Sequence, residues 1–368
     1  MRHAGAEPLG KERCSDLQQF IGCDAHKRYS VFVAVDEEGR NSPEWKVSHE
    51  GRTFEAFLEK LPRSSDIALE ACSSYYWLVA AMEQAGHRPR LAHPLEAKRR
   101  MGKSHKTDKL DAKGLAILLR NGTLPEVWIP PAELRDQREL LRLRMQLTQQ
   151  RTRWKNRIHG ALIRYNLHVE ASDAFGVRGR EQMAQQLGGL PPHTRRSVEQ
   201  QLAVLDFVES QIADCERRLA GLLEPSEEVR LLRTLPCVGP ILSAVLWLEI
   251  GDVNRFPDAP HLASYAGLVP RVRASGGHTR LGPVCRDVNH HLKWAFVEAA
   301  NLVAVNQRRL GPCHVLELYQ RLKRRKNHQK AVVAVGRHLA EAAYWVLKKR
   351  EAYREPKAPR RAVSSTRG

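Results

Sequence analysis

Two acidic residues stand where the local pattern calls for apolar ones, and they limit what the first third of this chain can become. Phe20-Ile21-Gly22-Cys23-Asp24 reads as a short buried strand ending on a carboxylate. Asp66–Ala71 (DIALEA) reads as a second buried strand with Glu70 near its end. An unpaired carboxylate is costly to remove from water, so each needs a counter-charge or a cation. A further pair, Asp108 and Asp111, lies in Lys106-Thr107-Asp108-Lys109-Leu110-Asp111-Ala112. Its spacing of three places both acids on one face at a helix start. Magnesium takes oxygen ligands. Four such carboxylates could hold two Mg²⁺ ions about 3.5–4 Å apart, the arrangement that assists phosphoryl transfer. Each acid has an ordinary reading as well. Acids favour helix N-termini, Asp24 suits a turn, and Glu70 suits a lysine partner. The order strand-Asp, strand-Glu, helix-DxxD is more specific than any member.

The pattern around these acids is mixed α/β. Tyr29–Val35 is expected as the hairpin partner of the first strand, with a third strand at Trp45–Val47. Helical spacing covers Arg52–Leu61, Tyr75–Gly86 and Leu110–Leu119, and Arg88–Ala92 reads as another strand. One α/β domain is expected over 19–128, after a loose tail at 1–18. Pro130-Pro131 marks a boundary. Beyond it, Leu140, Leu143, Leu147, Trp154, Ile158 and Leu162 form one apolar stripe. Val198, Leu202, Leu205, Val208, Ile212, Cys215, Leu219 and Leu222 form a second. Two amphipathic helices in 129–225 suggest an antiparallel coiled-coil-like arm or an ordinary bundle. The region 226–350 is expected to be mostly helical, interrupted at Ala274-Ser275-Gly276-Gly277. A basic, disordered tail is expected at 351–368.

The chain of 368 residues carries 60 Lys+Arg against 41 Asp+Glu, a net charge of +19. Such an excess calls for a polyanionic partner, and nucleic acid is the first candidate. Arg142, Arg144, Arg151, Arg153, Lys155 and Arg157 crowd the surface of the first long helix beside Trp154 and offer such a surface; a solvated basic face is the alternative reading. No apolar run is long enough for a transmembrane helix and the start lacks a signal-peptide core, so a cytoplasmic protein without a membrane partner is expected. The seven cysteines include no CxxC pair, which points to reduced thiols rather than structural zinc.

Two further segments hold candidate chemistry. Leu235–Leu242 (LPCVGPIL) reads as a tight turn opening a helix, with Pro240 at a first helical position. The exposed amides around Gly239 suit a phosphate. This looks like a helix-hairpin-helix element, although a second Gly is missing near Cys237, and a plain helix connection reads equally well. Next, Arg271-Val272-Arg273-Ala274-Ser275-Gly276-Gly277-His278-Thr279-Arg280 surrounds an accessible Ser275 with Arg271, Arg273 and Arg280, which could meet a scissile phosphate. By spacing alone, a Ser before Gly-Gly is ordinarily a turn.

The ordered acids resemble the DEDD metal site of an RNase H-like nuclease fold of the Holliday-junction resolvase type. The words IGCDAHK, LEA and KTDKLDA are similar to the N-terminal domain of the IS-one-ten group of insertion-sequence transposases. These are relatives of the Piv/MooV DNA invertases, and some act as bridge-RNA-guided recombinases. The GLVP…SGG…G stretch from Gly267 to Gly282 is similar to the C-terminal domain of that group. The resemblance implies that Asp24, Glu70, Asp108 and Asp111 are metal ligands, and that Ser275 attacks DNA and is held as a phosphoserine link. It also implies a structured non-coding RNA partner, and a composite site suggests a homo-oligomer. Where the family continues with Lys-Gly before a helix, this chain reads Val284-Cys285-Arg286-Asp287-Val288-Asn289-His290-His291. Arg286 stands near the Lys position and the Gly is absent. The expectation is therefore a Mg²⁺-dependent DNA recombinase with a serine nucleophile. The rivals are a water-using nuclease in which Ser275 is structural, and an inactive nucleic-acid-binding relic.

Overall fold

The computed structural model describes residues 20–102, 107–224 and 226–356. The expected N-terminal tail, Cys14, Lys106 and the last twelve residues of the expected C-terminal tail lie outside that set, and 351–356 have no regular structure. The chain divides into two compact units, 1–129 and 130–368. No described helix is long and apolar enough to cross a membrane.

The first unit is mixed α/β. Its elements are β1 (Phe20–Ala25), β2 (Tyr29–Val35), β3 (Trp45–Ser48), α1 (Thr53–Leu58), β4 (Asp66–Glu70), α2 (Tyr75–Gln84), β5 (Arg88–Ala92), α3 (Pro94–Met101) and α4 (Asp108–Arg120). The strands form one sheet in the order β3-β2-β1-β4-β5. A short turn joins β1 antiparallel to β2, and β3 continues antiparallel. β1, β4 and β5 are parallel, with α2 as the crossover that parallel strands require.

Strand alternation then distributes the side chains. Ile21, Cys23, Phe32, Ile67, Leu69 and Leu91 pack with Phe54, Leu58, Leu78 and Met82 of α1 and α2. On the opposite face Val31 and Val33 meet Ala112, and Ala68 and Ala92 meet Ala97, Leu115 and Leu118. Gly22 makes that second face possible. A Cβ at Gly22 would sit 1.9 Å from the Ala112 carbonyl oxygen, so α4 can lie on β1 only where the strand has no side chain. Asp24, two residues on, shares that face. α3 has no counterpart in the sequence expectations: only Ala97 of its eight residues is fully buried, which leaves no periodic stripe.

The second unit is mostly helical. It comprises α5 (Ala132–Ile163), α6 (Val177–Gln186), α7 (Pro192–Leu223), α8 (Glu227–Leu232), α9 (Pro240–Ile250), α10 (Ala259–Tyr265), β6 (Pro270–Ser275), β7 (His278–Val284), α11 (His290–Val305), α12 (Gln307–Leu310), α13 (His314–Arg325) and α14 (His328–Lys349). α5 and α7 run antiparallel. Leu141 and Met145 meet Leu219 and Leu223 in the main core, while Ile158 and Leu162 join Met183, Val198 and Leu205 in a smaller distal one. The α7 stripe is buried as its spacing implies. The α5 stripe is displaced only in its first half, where Leu143 is 45% exposed and the buried face runs through Arg138, Leu141 and Met145; Ile158 and Leu162 are buried as expected. Half-buried Thr148 and exposed Thr152 return their hydroxyls to carbonyls four residues back.

The stretch around Ser275 is a β-ribbon rather than a loop between helices. β6 and β7 pair Val272↔Leu281, Arg273↔Arg280, Ala274↔Thr279 and Ser275↔His278. Gly276 and Gly277 have φ of 56° and 77°, the two left-handed positions that a two-residue type I′ turn demands. β7 is almost wholly exposed, so it lacks the apolar alternation by which a strand is recognised. At the ribbon's base Gly267 ends α10 with φ of 67°, and a Cβ there would come within 2.5 Å of Val288.

Candidate metal centre and serine ribbon

β1 delivers Asp24 to the edge of the α4 helix start, and the tight β1–β2 turn folds the following residues back over it. The His26 amide donates to the Tyr29 carbonyl at 2.9 Å, and the two rings stack at 4.6 Å. His26 Nε2 consequently lies 3.1 Å from Asp24 Oδ2 and 3.2 Å from Asp108 Oδ2. Tyr29 donates its hydroxyl to Asp108 Oδ2 at 3.0 Å, while Lys46 Nζ lies 4.0 Å from the Tyr29 ring centre. Thr107 caps α4 by accepting from the Leu110 amide at 3.3 Å, which fixes Asp108 and Asp111 in the first turn.

Asp24, His26 and Asp108 each offer a ligand atom within 4.8 Å of the others. Glu70 and Asp111 do not belong to that tight group among the described residues. Glu70 is nonetheless a neighbour by register: the pairing Phe20↔Asp66 through Cys23↔Leu69 carries forward to set Glu70 alongside Asp24 on the same face. Burial raises the Asp24 carboxyl above its ordinary value. Asp111 and Asp108 raise it further, and His26 opposes them. Partly dehydrated acids that destabilise one another's charge are a donor set that suits a divalent cation. His26 is absent from the expected ligands. The signal for it was its position two residues past Asp24 at the strand end.

Ser275 and His278 are both exposed and close the ribbon as register partners. Sequence spacing makes them near neighbours in the chain only; the register of the ribbon sets them on one face. Arg280 is exposed on β7, and the Arg273 side chain lies outside the described set. Arg271 is exposed and donates to Cys285 Sγ at 3.5 Å. Gly239 is the N-cap of α9, with Pro240 next. Cys237, where the helix-hairpin-helix pattern carries Gly, adopts φ of 60°.

Comparison with known proteins matches both halves of this arrangement. Residues 21–167 match a family model of the IS110 DEDD type described as "Transposase". Residues 229–313 match the model described as "Transposase IS116/IS110/IS902 family". The chain belongs to the IS116/IS110/IS902 transposase family. Among its relatives is a putative transposase, y4pF/y4sB, of Sinorhizobium fredii, 26% identical over 91% of this chain and 85% of the relative. Another is the transposase for insertion sequence element IS1111A of Coxiella burnetii, 25% identical over 91% of each chain. An insertion element IS110 protein of Streptomyces coelicolor is 38% identical over 26% of this chain and 24% of its own length. Membership makes the chain an enzyme of DNA cleavage and joining.

Within this family member the basic residues of α5 divide into two sets. Arg142 forms two hydrogen bonds with Glu249, at 2.9 and 3.0 Å. Arg144 pairs with Glu216 at 2.5 Å, and Lys155 with Glu209 at 3.2 Å. Arg151, Arg153 and Arg157 form no ion pair among the described residues. Trp154 is half-buried against the distal core, with the Arg157 guanidinium 5.3 Å from its ring.

Glu249 itself is fully buried. Burial alone would raise its carboxyl, but Arg142, Asn289 and Arg138 together hold it below its ordinary value. Asn289 donates to Glu249 at 2.9 Å and caps α11 by accepting from the amides of His291 and Leu292. The altered Val284–His291 stretch thus ends on an anchor to the buried glutamate.

Proposed function

We propose that the chain is the recombinase of an insertion sequence, cutting and rejoining DNA with divalent ions held by an RNase H-like site and with Ser275 as nucleophile. The observation that carries the metal half is the convergence of Asp24 and Asp108 on one point, with Glu70 beside Asp24 by register. The strand order β3-β2-β1-β4-β5, antiparallel in its first three strands, supports an RNase H-like reading of the first unit.

Asp24, Glu70, Asp108 and Asp111 would hold the ions, Mg²⁺ being the natural choice for carboxylates. When bound, such ions supply Lewis-acid stabilisation of phosphate charge. Ser275 Oγ would attack the scissile phosphorus, forming an Oγ–P bond as the bond to one DNA oxygen breaks. The serine proton needs an acceptor, and His278, the register partner of Ser275, would take it. Arg271, Arg273 and Arg280 would neutralise the phosphate, and the amides at Gly239 would contact the DNA backbone. A structured RNA would lie on the free basic face of α5, and catalysis would take place in a homo-oligomer.

Incubation with labelled element ends, the element's RNA and Mg²⁺ tests this. The wild-type chain is expected to yield a covalent protein–DNA adduct, lost in Ser275→Ala and in Asp24→Ala. Adducts persisting in Ser275→Ala would sink the serine assignment. Cleavage without any adduct, dependent on Asp24 alone, would establish the water-using nuclease instead.

A further inference from the structure

The sequence pattern supplies only carboxylates to the metal centre, yet the folded chain brings an imidazole to the same point. We propose that His26 is itself a metal ligand, and that it turns an oxygen-only magnesium site into one that prefers a transition ion such as Mn²⁺. This rests on the metal reading given above and deepens it.

Three observations carry it. First, His26 Nε2 is within 3.2 Å of one oxygen of Asp108 and 3.1 Å of one oxygen of Asp24, so a single nitrogen faces both acids. Second, the ring is not free to wander: the backbone bond from His26 to Tyr29 and the stack on the Tyr29 ring hold it over the carboxylates. Tyr29 is held in turn by its bond to Asp108. A hydroxyl that orients a ligating carboxylate, and a ring that orients a ligating imidazole, are the supports that metal ligands ordinarily need. Third, the His26 ligand nitrogen and one oxygen each of Asp24 and Asp108 all lie within 4.8 Å of one another, a spacing that could hold one ion.

The chemical consequence follows from ligand type. Carboxylate and water suit magnesium, calcium and manganese alike, whereas imidazole favours the transition ions. Magnesium also gives up its waters reluctantly. One nitrogen among oxygens therefore shifts the balance toward Mn²⁺ without excluding Mg²⁺.

The full chain titrated with Mn²⁺ alone, followed by electron spin resonance, provides the test without any need for DNA cleavage. Spin-echo modulation from a directly bound ¹⁴N is expected in the wild-type protein and is expected to vanish in His26→Gln. The ratio of Mn²⁺ to Mg²⁺ affinity should fall about tenfold in that variant, in keeping with the sensitivity of metal sites to lost ligands and their supports. Asp24→Ala should abolish tight Mn²⁺ binding altogether. Bound Mn²⁺ without ¹⁴N modulation in the wild type, or an unchanged ratio in His26→Gln, overturns the role of His26 and leaves the carboxylate site standing. Tight Mn²⁺ binding that survives Asp24→Ala overturns the metal reading itself.

Discussion

The Asp24 carboxyl is raised by burial and by the acids beside it, so its charge weakens the metal-free fold. The penalty is absent in acid, where the group is protonated in both states. It sets in as pH rises past the ordinary carboxylate range and through the raised native value. Asp24→Asn is therefore expected to raise the melting temperature in chelator at neutral pH, by about 2–4 °C per kcal/mol relieved. The same variant should lose the further rise that a divalent ion gives the wild type. Differential scanning fluorimetry with and without Mn²⁺ reads both, and an unshifted variant in chelator would contradict the assignment of strain to Asp24. Cysteine reactivity offers a second residue-scale check. Arg271 lowers the thiol of half-buried Cys285, while burial pushes up those of Cys23, Cys215 and Cys237. Iodoacetamide should label Cys285 before these three, and Arg271→Ala should slow it. Labelling of Cys237 first would show that the Arg271 contact does not govern reactivity.

At the scale of elements, α5, α9 and the start of α11 are tied by one buried charge. Glu249 accepts from Arg142 and Asn289, and Arg138 donates to the carbonyls of Leu248 and Glu249. Removing one partner of a buried ionic group leaves the others uncompensated, at a cost of about 3–5 kcal/mol. Glu249→Ala should lower the denaturant midpoint accordingly, and Arg142→Ala should lower it too, in contrast to Arg153→Ala. Equal midpoints for Arg142→Ala and Arg153→Ala would refute the structural role of Arg142. The β4–β5 edge carries a simpler clamp, in which Asp66 receives Arg88 at 2.7 Å and Arg90 at 3.1 Å. The hydrogen bond from Arg88 is the chief reason its carboxyl is lowered. Its stabilising contribution is present above the ordinary carboxylate range and is lost as pH falls through the depressed native value. Asp66→Asn should therefore destabilise at pH 7 and make no difference in strong acid. A pH-independent loss would assign the effect to packing instead.

For the molecule as a whole, the charge of +19 does not translate directly into a nucleic-acid footprint. Part of it neutralises acids inside the second unit, as Arg142, Arg144 and Lys155 do. Counterion release is expected from cations that remain in water. Charge reversal at Arg151, Arg153 and Arg157 together should reduce the slope of log affinity for RNA against log salt by about 2–3, in proportion to the phosphates no longer met. The same slope before and after reversal would remove α5 as the proposed RNA surface. Reversal at Arg144 is expected to act mainly through stability.

Local pattern was enough for much of this. The apolar runs of β1 and β4 and the stripe of α7 are legible because burial of one face leaves a period in the chain, and the ordered acids stand out against that period. α3 and the serine ribbon were not legible, since one buries a single residue fully and the other has little buried face from which a period could arise. Nor could spacing say that Arg142 faces a glutamate over a hundred residues away, that Ser275 stands opposite His278, or that His26 returns over Asp24. These depend on which segments meet. Contact between distant segments follows from sheet register, from the close approach of α4 over Gly22 and from turn geometry, none of which a linear pattern contains.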